Sequence, residues 1–108
     1  MHYKIQYASM ALKDLDEIWD YITKELMNPS AAENTINGIM DIIDNLTDFP
    51  ETGAKLIFDN GLDSGYRYVL YKNYMAFYHI QAGCVYIDRI MYGRRDYMKE
   101  LFENEKEQ

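Results

Sequence analysis

Cysteine is scarce in this chain, where Cys84 is the only example. A single cysteine excludes an internal disulfide and any zinc site built on cysteine ligands. Because thiols stay reduced in the cytosol, this usage favours a cytoplasmic protein. Histidine is nearly as scarce. His2 and His79 stand far from any clustered Cys, Asp or Glu pattern, so we expect no metal site and no cofactor.

Long apolar runs are also missing. The N-terminus, from Met1 to Ile5, lacks the apolar core of a signal peptide. No apolar run approaches the ~18 residues that a membrane-spanning helix requires, so we expect no membrane partner. With 108 residues the chain is short for two separate cores. Residues 1–108 should therefore form a single domain.

Positive charge is in short supply as well, with 11 Lys and Arg against 18 Asp and Glu and a net charge of -7. The deficit lies in residues 1–54, which carry three lysines against ten acidic residues, whereas residues 55–99 carry seven basic against four acidic residues. All four arginines belong to this second region, namely Arg67, Arg89, Arg94 and Arg95. A basic region beside an acidic one predicts an anionic partner for one surface. The alternative is that the charges only keep the protein soluble.

The first half of the chain has the pattern of a strand followed by two helices. Alternating apolar residues over 3–7 predict a short strand. Ser9 is a candidate N-cap for a helix over about 10–26, whose apolar residues fall within one arc of about 120°. These residues are Ala11, Leu12, Leu15, Ile18, Trp19, Ile22 and Leu26. We interpret this stripe as core rather than as a binding groove.

A break at Asn28-Pro29 separates the two helices, because proline cannot continue the hydrogen-bond ladder. Ser30 and Glu33 have the spacing of a capping box that restarts the helix immediately. So short a break predicts an antiparallel helical hairpin. A proline and a glycine end the second helix within residues 48–53.

Three consecutive strands are predicted over about 66–72, 74–81 and 84–92, joined by connections short enough for antiparallel hairpins. Before them, residues 59–61 form a tight turn or an extra hairpin. A closing helical turn is predicted at about 97–104, and the charged end, 103–108, should be frayed. The order β-α-α-β-β-β-(α) predicts an α+β fold, with a helical hairpin on one face of a mainly antiparallel sheet.

In this order the residues resemble the RelE/ParE superfamily of type II toxin–antitoxin toxins. The resemblance spans about residues 3–102 and is carried by four segments: 15–22, 46–53, Tyr74–Ile80 and Arg89–Asp96. It implies a plasmid-stabilisation-type toxin that inhibits growth and is held in check by a cognate antitoxin from the same operon.

Two positions help to decide whether the chain is more similar to the RelE branch or to the ParE branch of the superfamily. RelE-like members, which are ribosome-dependent mRNA endonucleases, typically carry an arginine three positions before the tyrosine of the central strand, where this chain has Met75. They also carry a tyrosine or histidine where this chain has Leu101, so that of the matched set only Arg95 remains. The residues therefore look more like ParE, whose members inhibit DNA gyrase without doing chemistry. The ParE motif His-Gly-x-Arg-Asp is matched here except that Tyr92 replaces the histidine.

Five residues are the candidates for partner binding, since Tyr and Arg dominate protein-binding hot spots: Arg67, Arg89, Tyr92, Arg94 and Arg95. Each of the four arginines also has a structural interpretation. Arg94 and Arg95 could pair with Asp96 to anchor the last turn. Arg89, which we expect to share a strand face with Val85, Ile87 and Met91, could pair with a carboxylate. Arg67 could be stacked or solvated between two tyrosines.

Two other functions stay open. The chain could be an endoribonuclease acting on mRNA at the ribosome with a different catalytic set, His79 with Arg89 and Arg95. It could also be a non-toxic orphan that serves only as an interaction module. A homodimer is possible under each of these functions.

Overall fold

The computed structural model describes residues 2–93 and contains two α-helices and five strands within them. In chain order they are β1 (Lys4–Tyr7), α1 (Ser9–Asp20), α2 (Pro29–Asp44), β2 (Ala54–Ile57), β3 (Asp63–Tyr71), β4 (Tyr74–Gln81) and β5 (Cys84–Tyr92). A π-helical turn (Tyr21–Glu25) continues α1, and a 3₁₀ turn (Asn45–Thr47) continues α2. The helical turn predicted at 97–104 and the frayed end at 103–108 lie outside the described residues.

The five strands form one sheet in the order β1-β5-β4-β3-β2. β1 runs parallel to β5, and the other three pairs are antiparallel. Both helices pack on this sheet, α1 against β5 and α2 against β3 and β4. The predicted α+β class, with a helical hairpin on a mainly antiparallel sheet, is confirmed.

The extra hairpin that the sequence left open is present, because β2 pairs with the beginning of β3. Its connection is closed by the amide of Phe58, which donates to the carbonyl of Leu62 at 2.8 Å. Gly61 has a φ of +88° there, a conformation that side chains with a Cβ rarely adopt. The sheet therefore has five strands, one more than the four predicted, which were the strand at 3–7 and the three hairpin strands.

The helix starts differ from the predicted caps. α1 already includes Ser9, whose side chain makes no capping hydrogen bond. α2 begins at Pro29, and the side chain of Asn28 accepts a hydrogen bond from the amide of Ala31 at 3.1 Å. The predicted Ser30–Glu33 capping box is therefore wrong. Asn28 caps the helix instead, and Pro29 suits its first position because no helical partner is needed for its nitrogen.

Two apolar clusters lie on opposite faces of the sheet. The larger one, between sheet and helices, includes Ile39, Ile43, Tyr78 and Ile87, all at most 1% exposed. The smaller one is centred on Leu56, Met75 and Phe77. It lies on the face that the two helices of residues 2–93 leave uncovered, called the open face below. No helix within the described part of the chain is long and apolar enough to cross a membrane.

A β-bulge in β5 changes which side chains share a face. Phe77 pairs with Arg89 while the next residue of β4, Tyr78, pairs with Ile87, so Asp88 is left as the extra residue. Val85 and Ile87 consequently face the helices, whereas Arg89 pairs with a residue of the open-face cluster. The expectation that Arg89 shares a face with Val85 and Ile87 is wrong, because it assumed an unbroken strand.

Candidate partner-binding site

A buried carboxylate on α1 holds the point where β1 stops pairing with β5. The last β1–β5 pair is Tyr7 with Ile87, so the following amides of β5 have no strand partner on that side. Asp14, which is 7% exposed, accepts the amide of Ile90 at 2.9 Å. It also accepts both arms of the Arg89 guanidinium, Nε at 2.8 Å and Nη2 at 3.0 Å. Such charge-assisted bonds offset the burial of the carboxylate.

Arg67 is likewise used inside the molecule. Its Nη1 donates to the carbonyls of Glu51 at 3.0 Å and Gly53 at 2.9 Å, and its side chain is 20% exposed. The hydroxyl of Tyr78 secures the same loop, because it accepts the amide of Gly53 at 2.9 Å and donates to the carbonyl of Pro50 at 2.7 Å. Arg67 therefore fixes the loop before β2.

An apolar groove of about 610 Å³ opens beside the Asp14–Arg89 pair, between α1 with its π turn, the start of α2 and the ends of β4 and β5. Apolar and aromatic side chains dominate its lining: Ile18, Tyr21, Ile22, Leu26, Tyr74, Ile90 and Tyr92. Three of these are well exposed, Tyr21 at 57%, Leu26 at 57% and Tyr92 at 65%. Clustered exposed apolar side chains of this kind mark an interaction surface.

The π turn shapes the wall of this groove. The amide of Leu26 donates to the carbonyl of Tyr21 at 3.3 Å, a bond that closes one residue later than in an α-helix. The hydroxyl of Thr23 donates back to the carbonyl of Trp19 at 2.8 Å, which suits a distorted helix. Leu26, the residue that follows the turn, lines the groove with Ile18 and Ile22. Single π turns inside helices are frequent at functional sites.

Three tyrosine hydroxyls come together at one end of the groove. The rings of Tyr74 and Tyr92 meet edge to face, with centroids 5.0 Å apart. Burial raises the pKa of Tyr74, and the neighbouring hydroxyls of Tyr92 and Tyr21 raise it further. The groove therefore combines an apolar floor with a hydroxyl-bearing end.

The open face of the sheet carries a second cluster of polar groups. Nδ1 of His79 lies 2.6 Å from Oδ2 of Asp88, the bulge residue. The imidazole stacks on Tyr86, with centroids 5.1 Å apart and an interplanar angle of 14°, and Tyr66 meets it edge-on at 5.7 Å. Burial raises the pKa of Asp88, although the hydrogen bond from His79 and its charge act in the opposite direction.

A polar recess of about 360 Å³ adjoins this histidine. The two cations in its lining each lie beside a carboxylate, Lys55 at 3.8 Å from Asp63 and Arg67 at 3.8 Å from Glu51. The His–Asp pair could transfer a proton, since one ring nitrogen stays outside that bond. The paired cations make the recess a weak site for a phosphodiester, whose reaction needs positive charge at the developing oxyanion.

The predicted site residues are thus divided between two places. Tyr92 lies on the groove and Arg89 beside it, whereas Arg67 and His79 line the recess. Arg94 and Arg95 lie outside the described residues. The groove itself was not predicted, because Leu26 was assigned to the core. The only signal for it in the sequence was the width of the apolar arc on the first helix, which includes Ile18, Ile22 and Leu26.

A sheet of this topology with a helical hairpin on one face defines a RelE/ParE-like toxin fold. A family model described as the ParE toxin of the type II toxin–antitoxin system parDE matches residues 5–97. Because this match covers most of the sequence, the chain belongs to the ParE toxin family. No curated protein sequence gives a significant match.

Solved structures of toxin–antitoxin proteins share the fold. A chain of the chromosomal ParDE system from P. aeruginosa is 20% identical, with a TM-score of 0.72 over 86% of this chain and 98% of that one. A chain of the RelBE2 complex from Mycobacterium tuberculosis is 16% identical, with a TM-score of 0.61 over 85% and 92%. A chain of the E. coli DinJ–YafQ complex is 12% identical, with a TM-score of 0.55 over 94% and 99%. At these identities the likeness extends to the fold alone.

Proposed function

We propose that this chain inhibits growth by binding a cellular protein and is neutralised by a cognate antitoxin. The observation that carries this proposal is the match of the ParE toxin model to residues 5–97. Two of the similar structures are described as complexes of a toxin with its antitoxin, which supports a partner of that kind.

The apolar groove is the proposed docking site for the antitoxin. An amphipathic helix binds such a groove by placing its apolar face on the floor and leaving its polar face in water. Leu26 and Tyr92 lie exposed on the rim in the free protein. Covering them would remove apolar surface from water, which is the main driving force of most protein association.

DNA gyrase is the target that we propose, as in ParE. The described residues support action by binding, because Met75 is 3% exposed on the open face and Lys55 and Arg67 each lie beside a carboxylate. The test adds the purified protein to a gyrase supercoiling assay. We expect inhibition, and its absence at micromolar concentration would exclude gyrase.

Neutralisation is tested separately by co-expression. Induction of the toxin alone should stop growth, and co-expression of the adjacent antitoxin frame should restore it. Leu26→Asp places a charge on the apolar rim of the groove, so we expect the toxin to stay active while the antitoxin no longer protects. Lys13→Asp, at an exposed position of α1 outside the groove lining, is the matched control. Equal protection of both variants would place the antitoxin elsewhere.

One observation favours an endoribonuclease as a second candidate function. The His79–Asp88 pair, with its 2.6 Å hydrogen bond, has the arrangement of a general base oriented by a carboxylate. This function predicts cleaved transcripts on induction, together with loss of toxicity in His79→Ala. Intact transcripts in cells whose growth has stopped would rule it out.

A further inference from the structure

The groove has a distinctive distribution of charge. Its described lining residues include two carboxylates, Asp14 and Glu17, and no lysine, arginine or histidine. The helix that forms one wall belongs to the acidic part of the sequence, residues 1–54, which carries only three lysines. An occupant with acidic side chains along this wall would therefore meet a repulsive surface.

The two carboxylates are not equivalent. Asp14 is buried, and its oxygens are already engaged by the Arg89 guanidinium and the amide of Ile90. Glu17 lies one turn further along α1, is exposed, and forms no salt bridge within residues 2–93. Glu17 is thus the carboxylate on the groove that can accept a partner's charge.

The tyrosine end of the groove also suits a cation. The negative face of an aromatic ring attracts ammonium and guanidinium groups within about 6 Å of its centroid. Tyr74 and Tyr92 pack edge to face, and Tyr92 is 65% exposed. Tyr21, which lines the same groove, is 57% exposed. Exposed rings with their hydroxyls thus line the same groove as Glu17, a carboxylate that has no salt bridge among the described residues.

We propose that Glu17 and the tyrosine cluster of Tyr21, Tyr74 and Tyr92 receive a lysine or arginine side chain from the helix that occupies the groove. The proposal rests on the function proposed above, in which a partner helix docks there, and it adds the chemistry of that helix. The bound segment is amphipathic, with apolar side chains on the floor and at least one basic residue at the tyrosine end.

Three designed peptides of about fifteen residues test the charge directly. They share one stripe of leucines at helical spacing and differ only in the flanking positions, which are all lysine, all glutamine or all glutamate. Isothermal titration calorimetry with the full chain should give the tightest binding for the lysine peptide. An ion pair and a cation–π contact together correspond to about a five- to ten-fold difference from the glutamine peptide. Added salt should narrow the difference.

Variants of the full chain test whether Glu17 and Tyr92 cause the preference for the lysine peptide. Glu17→Gln should abolish most of the preference for lysine over glutamine, whereas Glu25→Gln, an exposed acidic residue outside the groove lining, should keep it. Tyr92→Leu should reduce the preference while retaining an apolar rim. Circular dichroism checks that each variant is folded.

The outcomes distinguish the proposal of a basic side chain from the proposal that a partner helix docks in the groove. Equal binding of all three peptides, or tighter binding of the glutamate peptide, overturns the basic-residue proposal and leaves docking in the groove intact. Failure of all three to bind overturns the proposal together with the groove as a helix site. The growth and supercoiling assays remain independent, because they do not depend on the peptides.

Discussion

The groove and the recess on the open sheet face differ in the polarity of their linings and in the pairing of their charges. The groove is lined mostly by apolar and aromatic side chains, and among residues 2–93 its charge without a salt-bridge partner is negative. The recess is polar, and the cations in its lining lie beside carboxylates. An apolar surface with few charges favours tight docking of a partner, whereas a recess whose charges are already paired gains little from another ion.

The bulge in β5 is what separates the two. Asp88 turns toward His79 on the open face, and its neighbour Arg89 reaches Asp14 on α1. Asp88 thus belongs to the side of the recess, and the next residue, Arg89, belongs to the side of the groove. A change at either position should therefore affect one region and spare the other.

The largest change in the free energy of unfolding is expected for a substitution of Asp14. Asp14→Ala leaves the Arg89 guanidinium without this partner and removes the acceptor of the Ile90 amide, so we expect a loss of about 3 kcal/mol in the free energy of unfolding. Urea denaturation followed by circular dichroism measures it. Asp16→Ala, an exposed acidic residue on the same helix, should stay within about 0.5 kcal/mol of wild type. A loss below about 1 kcal/mol for Asp14→Ala would mean that the pair does not stabilise the groove wall.

The next effect concerns the loop behind the recess. Tyr78→Phe removes the hydroxyl that bonds Gly53 and Pro50, so a buried amide loses its acceptor and stability should fall by about 2 kcal/mol. Tyr68→Phe serves as a control on the neighbouring strand. If the two substitutions are equally mild under chemical denaturation, the hydroxyl does not fix the loop.

A smaller effect is expected at Asp88, and it depends on pH. Its folded-state pKa is raised, chiefly by burial, so the folded protein holds the proton more tightly than the unfolded chain. The stability contributed by the protonated form is present below the ordinary Asp pKa and is lost as pH rises through the raised value. Asp88→Asn should remove this pH-dependent loss of stability. The free energy of unfolding should change by about 1 kcal/mol or less. Thermal unfolding across that acidic range compares the two proteins, and parallel curves would contradict the assignment.

The smallest change in stability is expected at Tyr7, which lines neither the groove nor the recess. The hydroxyl of Tyr7 is buried without a hydrogen-bond partner among the described residues, and burial followed by the charge of Asp44 raises its pKa to about 12. Tyr7→Phe should change stability at pH 7 by no more than about 0.5 kcal/mol. Wild type should lose stability as pH rises from 10 toward 12, because the unfolded tyrosine ionises first. The variant should lose less, as measured by alkaline denaturation.

Most of the secondary structure was predictable because it depends on local patterns. The alternation at residues 3–7 and the three strands after residue 65 follow from side chains that must face one core. The α+β class followed from the order of these elements. The start of α2 was missed by two residues because Asn28 and Ser30 are both good caps, and only the path of the chain selects between them.

The candidate site was predicted less well. Tyr92 was named from its neighbours in sequence and lies on the groove, but Leu26 was assigned to the core from a regular helical wheel. The helical wheel shows that Leu26 is on the apolar side, but it does not show that this residue is left 57% exposed beside a groove. For Arg89, pairing with a carboxylate was one of the open interpretations, and for Arg67 stacking or solvation. Their partners, the carboxylate of Asp14 and the carbonyls of Glu51 and Gly53, are distant in sequence, so no local pattern identified them.

The sequence by itself determined the periodicity of the helices and strands, the acidic first half and the concentration of arginine in the second. These are properties of neighbouring residues, and they are fixed before the chain folds. Only the tertiary structure decided which charges are paired and where apolar surface stays uncovered. Both depend on groups far apart in sequence. Asp14 on α1 meets Arg89 on β5, whereas Glu17 on the same groove forms no salt bridge within residues 2–93.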